Sequence, residues 1–290
     1  VKKVEKKINI DAFVLPQKKP KTIRKTTASV KKSKFLSQKD FERAKIAFSQ
    51  IKSGKVITGY KTSEKIKDKD FKLFVQWLYL MKSSNNATFS TYETFIRNNS
   101  DFPRIGRLQY LAEQKIYLKN SSPKNIIRWF EEFPPVSGTG KLKLGEAYFD
   151  LKDINNSKKL IKEGWINADL SKSQLRFYRK KFKSILDSED HIKRADYLAW
   201  NRKYWDLKRM LVYLPSDFKA LYNARQILMS NSYGVDNAIA KVPDRFKKDI
   251  GLEYDRLKWR NRRGRLESSL QILYDNSNRS EEELVRADLW

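Results

Sequence analysis

The chain has no cysteine and a single histidine, His191, among its 290 residues. The first absence excludes a disulfide frame and a thiolate metal site. The second leaves no cluster of imidazoles for zinc, and no Ser or Cys partner for His191 is identifiable from the sequence. Asn-Gly and Asp-Gly do not occur, so tight β-hairpins lack their usual turn chemistry. No stretch approaches the roughly 18 continuous apolar residues of a membrane helix. Acids are also scarce: 34 Asp and Glu face 62 Lys and Arg, for a net charge of +28. That imbalance points to polyanionic surroundings, whether nucleic acid, anionic lipid or a carboxylate-rich polymer. An AT-rich genome would give part of the same bias with no binding role.

What remains is enough for a core. Hydrophobic residues make up 40% of the chain and aromatics 13%, a mixture suited to wide seams between helices. Residues 1–37 read as a disordered basic leader. About a dozen Lys and Arg face two acids there, with Pro16 and Pro20 and no helical period. The chain begins at Val1 and ends at Trp290, just after the helical run EEELVRADL, so truncation at both ends is expected.

Residues 38–290 carry helical periodicity throughout. Ser37 is the expected cap of a helix that stops at Ser53-Gly54. A more hydrophobic helix is expected over 69–82. Thr88 or Ser90 begins a short one ending at Asn98-Asn99, and another follows Pro103 over 104–118. Ser122-Pro123 opens a helix that Phe133-Pro134-Pro135 closes. Residues 136–140 are expected to form a loop. From Leu142 onward, Leu144-Gly145-x-x-Tyr148 followed by Ser157, Ile161 and Gly164 fits a tetratricopeptide-like helix pair: small residues admit close approach and large ones plug the groove. Tyr204, Val235 and Leu266 follow turns about 31 residues apart. Pro215 and Pro243 close successive pairs. A short helix over 235–241 and a longer one over 252–262, stopped by Gly264, complete the pattern. The expected fold is all-α: a right-handed superhelix, or solenoid, of antiparallel helix hairpins.

Candidate chemistry is thin. His191 reads as an exposed helix residue. Gly138-x-Gly140-Lys141 is too short for a phosphate loop and follows no strand. The carboxylate groups Glu131-Glu132, Glu189-Asp190 and Glu281-Glu282-Glu283 lie beside helix ends, where most serve the helix dipole. Glu131-Glu132 sits at a C-terminal end, where that explanation fails. Glu253 and Asp255 face different directions. None of these acids has the apolar setting that raises a general acid's pKa. No catalytic, cofactor-binding or metal-ligating residue is assigned. Aromatics interleaved with bases at 176–182 and 258–260 fit helix seams over which Lys and Arg lay their stems, rather than a nucleic-acid surface.

Four stretches resemble the superhelical domain of the soluble lytic murein transglycosylases. Asp101-Phe102-Pro103 with the helix over 107–113 is similar to an Asn-Pro-x-x-Pro…Arg…Ala-Glu segment. Trp129-Phe130-Glu131-Glu132-Phe133-Pro134-Pro135 with Gly138 and Gly140 is similar to a Trp-Phe…Pro-Pro corner. Gly234-Val235-Asp236 through Val242-Pro243 resembles a Gly-Val-Asp…Val-Pro hairpin. Gly251-Leu252-x-Tyr254-Asp255-Arg256-x-Lys258-Trp259-Arg260 with Gly264-Arg265 resembles Gly-Leu-x-Tyr-Asp-Arg-x-Arg-Trp-Arg…Gly-Arg. The resemblance covers 38–290 and implies a periplasmic setting in a Gram-negative bacterium, with association with the outer membrane as one option. It implies a parent enzyme that cleaves the MurNAc–GlcNAc bond of peptidoglycan to a 1,6-anhydro product with one glutamate in a separate lysozyme-like domain. That domain's Glu-Ser and Gly-Leu-Met-Gln motifs do not occur here. The expected role is therefore a monomeric, non-catalytic scaffold that meets peptidoglycan glycan strands, without nucleic acid, cofactor or transmembrane segment. A non-enzymatic helical-repeat adaptor for protein or peptide partners is the alternative, and an RNA-binding repeat a third reading prompted by charge alone.

Overall fold

The structure, a computed structural model, describes residues 33–118, 121–230 and 233–290. Residues 1–32 of the expected leader lie outside them. The described residues hold sixteen α-helices and no strand, so the described part of the chain is all-α. In order these are α1 (Gln38–Lys52), α2 (Val56–Ser63), α3 (Lys69–Leu80), α4 (Phe89–Asn98), α5 (Ile105–Lys115) and α6 (Pro123–Glu132). Then come α7 (Gly138–Asp150), α8 (Ile154–Asn167), α9 (Lys172–Lys181), α10 (Ser188–Trp200) and α11 (Tyr204–Met210). The last are α12 (Ser216–Leu228), α13 (Val235–Ala240), α14 (Ile250–Arg262), α15 (Leu266–Asp275) and α16 (Glu281–Leu284). By compactness the chain divides into Val1–Gln76 and Trp77–Trp290.

In the first unit α1 and α2 pack together. Asp40, buried, accepts the N–H of Lys67 at 3.2 Å, and Phe48 meets Phe71 edge-on at 5.5 Å. The second unit holds a continuous apolar core from Leu142 in α7 to Trp259 in α14. Within it α7 and α8 approach so closely that a Cβ on Gly164 would lie 2.5 Å from the Leu142 nitrogen. A Cβ on Gly145 would lie 2.9 Å from Ile161 Cγ1. Ser157 is fully buried in the same seam. Small residues thus set this approach, as their spacing predicts.

Four links between consecutive helices share one backbone design. At 53–55, 151–153, 201–203 and 263–265 the middle residue has a positive φ: Gly54 83°, Lys152 66°, Arg202 52° and Gly264 69°. In each, the middle N–H donates to the carbonyl three residues back and the third N–H to the carbonyl five back. The pairs are Gly54 to Ile51 and Lys55 to Gln50, Lys152 to Phe149 and Asp153 to Tyr148, Arg202 to Ala199 and Lys203 to Leu198, Gly264 to Asn261 and Arg265 to Arg260, all at 2.9–3.0 Å. This is the Schellman closure of a helix C-terminus. The next helix begins one residue later, so α1–α2, α7–α8, α10–α11 and α14–α15 are packed neighbours on three-residue links. Tyr204 and Leu266 open helices behind two of these links, and Val235 opens α13 behind Gly234, whose φ is 86°.

Several expected boundaries move. Residues 138–140 are not loop but the first turn of α7, where Ser137 accepts the Gly140 N–H at 3.0 Å. Their glycines serve close packing rather than a turn, since a Cβ on Gly138 would lie 2.6 Å from the Ala168 nitrogen. The helix expected over 69–82 ends at Leu80, where the Asn85 amide takes up the carbonyls of Tyr79, Leu80 and Lys82. That expected over 104–118 is Ile105–Lys115, because Arg104 takes φ 60° and Ile116 is extended. The run EEELVRADL is α-helical only through Leu284, since Val285 turns to φ 63°, and Ala287–Leu289 form a separate 3-10 turn. Helix α2 went unanticipated: its N-cap, Lys55, makes no side-chain capping bond, so the sequence carries no start signal.

Candidate functional site

Helix α12 turns Leu221, Ala224 and Leu228 into the core, and Arg225 falls on the same face, 1% exposed. Its Nε donates to Asp255 Oδ2 and its Nη1 to Asp196 Oδ1, both at 2.9 Å. The guanidinium lies 5.0 Å over the Trp200 ring. Gly251 lies against it, where a Cβ would fall 2.3 Å from Arg225 Cζ. Asp255, equally buried, also faces Arg202 Nη1 at 3.5 Å. Tyr254, one residue earlier on α14, meets Trp200 at 5.4 Å. One buried cation therefore ties α10, α12 and α14 together.

Asp255 overturns the expectation that none of the paired carboxylates has an apolar setting. Burial pushes its carboxyl up, with the guanidiniums of Arg225 and Arg202 pulling the other way. Burial also acts downward on Arg225, but Asp255 and Asp196 more than offset it, and the net direction is upward. The result is an ion pair inside the helix assembly, and its carboxylate is committed to two guanidiniums. Breaking such a pair costs about 3–5 kcal/mol, because it leaves an uncompensated charge.

The other acids have similar employment. Glu132 pairs with Arg97, which accounts for a carboxylate at a helix C-terminus. Asp190 and Asp187 form a capping box at the start of α10, and Lys162 holds the Asp187 carboxyl down to about 2. Glu283 completes the box of α16 with Ser280, and Glu253 sits in the first turn of α14. Among acids not singled out from sequence, Glu113 accepts the Val136 N–H at 2.7 Å and the Ser137 hydroxyl beneath Gly140. Glu146 accepts the Tyr178 hydroxyl and Lys181, each at 2.8 Å. Among the described residues no three His, Cys, Asp or Glu gather as a metal site.

His191 is half-buried rather than exposed, 5.4 Å from Trp165 and 6.3 Å from Tyr213. The start of α10 is docked against α8, which takes the imidazole out of water. Burial, and then the Arg179 charge, lower its pKa. The aromatic–basic runs behave as seams. Tyr178 and Phe182 are core, while Arg179 lies 4.4 Å over Tyr213 and Arg265 5.0 Å over Trp259. On the outer face of α9, Lys172, Arg176 and Lys180 recur every fourth residue and are exposed.

Beside the Arg225 node opens a groove of about 610 Å³. One face of α10, carrying Ile192, Asp196, Tyr197 and Trp200, lines it, together with Ile166, Tyr222, Val285 and Arg286. Asp196 spends Oδ1 on Arg225 and on the Tyr222 hydroxyl at 3.3 Å. Its Oδ2 accepts nothing from the described residues.

Comparison with protein-family models, curated proteins and solved structures finds no match. The sequence reading missed Arg225, Asp196 and the groove. One signal was available: a charge at 225 in register with Leu221 and Leu228 breaks the apolar face of α12 and calls for a buried partner. The partner's position, thirty residues on in α14, follows from tertiary packing alone.

Proposed function

We propose that the chain is the non-catalytic helical scaffold of a soluble lytic murein transglycosylase, acting on peptidoglycan in the periplasm of a Gram-negative bacterium. In this proposal the helix pairs stack as antiparallel hairpins into a right-handed superhelix, and bond cleavage belongs to a separate domain of the parent enzyme. The observation that carries it is the use made of the stretch most similar to that family. Gly251 admits Arg225, Asp255 neutralises it, Tyr254 backs Trp200, and Gly264 closes α14 at φ 69°. Trp259 is buried beneath Arg263 and Arg265. These are the duties of a framework, which is the part the resemblance assigns to this stretch. The net charge of +28 and the basic face of α9 suit a carboxylate-bearing polymer.

The test is sedimentation of the purified chain with peptidoglycan sacculi across a range of salt. Pelleting at low salt that weakens as salt rises is expected, with no anhydro-muropeptides released. A chain that stays in the supernatant at every salt concentration would sink the proposal. One observation favours the adaptor alternative: Leu266, Leu270, Leu273 and Tyr274 form an exposed apolar stripe on α15. Capture of one defined protein partner, without retention on peptidoglycan, would select it.

A further inference from the structure

A smaller cavity, of about 240 Å³, is lined from α12, α13, α14 and the link that follows α14. Three guanidiniums meet there, those of Arg256, Arg260 and Arg265. The first two stand four residues apart on α14 and so share a face. Arg265 ends the link, where its N–H donates to the Arg260 carbonyl at 3.0 Å. Closure of the helix end therefore sets its backbone beside Arg260. Its guanidinium lies 5.0 Å over the Trp259 ring. Arg260 donates to the Ser268 carbonyl at 2.9 Å. None of the three is in an ion pair with a described residue, and the Arg256 side chain bonds to nothing described. Burial, then the charges of Arg256 and Arg265, pull the Arg260 pKa down, with Asp236 acting the other way. Trp259 also lines the cavity. It is only 9% exposed, and its buried Nε1–H meets no acceptor among the described residues.

This is a set of donors without an acceptor. Asp236 is the only acid among the lining residues, so the guanidiniums leave an excess of two positive charges. The volume lies below the roughly 300–1,000 Å³ of drug-sized ligand pockets, which excludes a nucleotide or an oligosaccharide and admits one small anionic group. A carboxylate brings one charge and two oxygens in a plane, enough for a single guanidinium fork. A phosphate monoester brings three oxygens and about −1.5 to −2 charge at pH 7, which matches three guanidiniums and the excess of two. Leu228, Val235 and Ile239 supply an apolar side for a short carbon substituent. We propose that this cavity binds a terminal phosphate group, a monoester on a small aliphatic alcohol, either free or as the headgroup of a lipid. The site stands independently of the scaffold proposal.

The test is a titration of the full chain with glycerol 3-phosphate at about 0.15 M salt, with acetate as the carboxylate comparison, followed by calorimetry and amide chemical shifts. Saturable shifts at 235–240, 256–260 and 265, with a Kd of about 0.1–1 mM, are expected for the phosphate ester. Acetate should bind at least about tenfold more weakly. Arg256→Gln removes a side chain with no partner to lose, so it should keep the fold and weaken binding about tenfold. Lys172→Gln, on the exposed face of α9, should leave binding unchanged. Absence of saturable shifts at these residues overturns the proposal. So does equal affinity for acetate, or equal weakening by the two substitutions, which would mean general charge attraction. Vesicles distinguish the two sources of the phosphate. Pelleting with equimolar phosphatidic acid and phosphatidylcholine, but not with phosphatidylglycerol in place of the acid, and lost in Arg256→Gln, assigns the site to a lipid headgroup. Glycerol 3-phosphate binding without vesicle pelleting assigns it to a free ester.

Discussion

The α7–α8 seam and the α12–α14 seam solve the same problem by opposite means. In the first, glycines bring two backbones together, with Gly164 against Leu142 and Gly145 against Ile161. In the second, Gly251 instead makes room for a charge, and a buried Arg225–Asp255 pair fills it. The first seam depends on contacts that any close-packed apolar surface supplies. The second depends on two residues that are each costly when alone. It follows that the first should yield to added volume, and the second to loss of either partner.

The largest expected effect is at the charged seam. Asp255→Ala leaves Arg225 buried without its main partner, so chemical denaturation should show a loss of about 3–5 kcal/mol. Next comes the apolar seam. Gly164→Ala places a Cβ 2.5 Å from the Leu142 nitrogen, which backbone cannot easily yield, and a loss of about 1–3 kcal/mol is expected. Equal sensitivity of both seams to volume and to charge would erase the distinction between them.

A smaller, pH-dependent effect separates the seams from their surroundings. The Tyr110 hydroxyl donates to Asp169 at 2.7 Å, which with burial pushes its pKa up to about 12. Burial and nearby carboxylates move Tyr178 and Tyr222 in the same direction. A tyrosine whose pKa is raised by folding stabilises the native state fully below its unfolded value near 10 and loses that contribution as pH rises through the folded value. Stability should therefore hold to about pH 10 and fall toward pH 12. A flat profile across that window would count against these buried hydroxyl bonds. The smallest effect belongs to the exposed face of α9. Replacing Lys172, Arg176 and Lys180 together by Ala should shift stability by no more than about 0.5 kcal/mol per site. The same change should flatten the salt dependence of sacculus pelleting.

These two seams also differ in how far the sequence announces them. Gly145, Ser157, Ile161 and Gly164 stand at spacings that specify which helix faces touch, and the structure places them in that contact. Gly251, Tyr254, Asp255 and Trp259 were legible as a stretch, but their duties were not. Arg225 lies on a different helix, and no local pattern ties it to Asp255. The three-residue links were partly legible, because Gly54 and Gly264 announce a positive φ. Lys152 and Arg202 adopt the same geometry with no such mark, which is why the link before Tyr204 could be inferred only from spacing. The groove was invisible for a similar reason: its residues are drawn from α8, α10, α12 and the segment after α16.

Asp255 is the buried structural partner of Arg225. A double-mutant cycle tests that directly, using Arg225→Met, Asp255→Leu and both together, with unfolding free energy as the readout. The two single changes should each cost about 3–5 kcal/mol, and the double should recover most of that loss, with the protein still pelleting with sacculi. Losses that simply add in the double variant would mean that the two side chains act independently, contrary to the account.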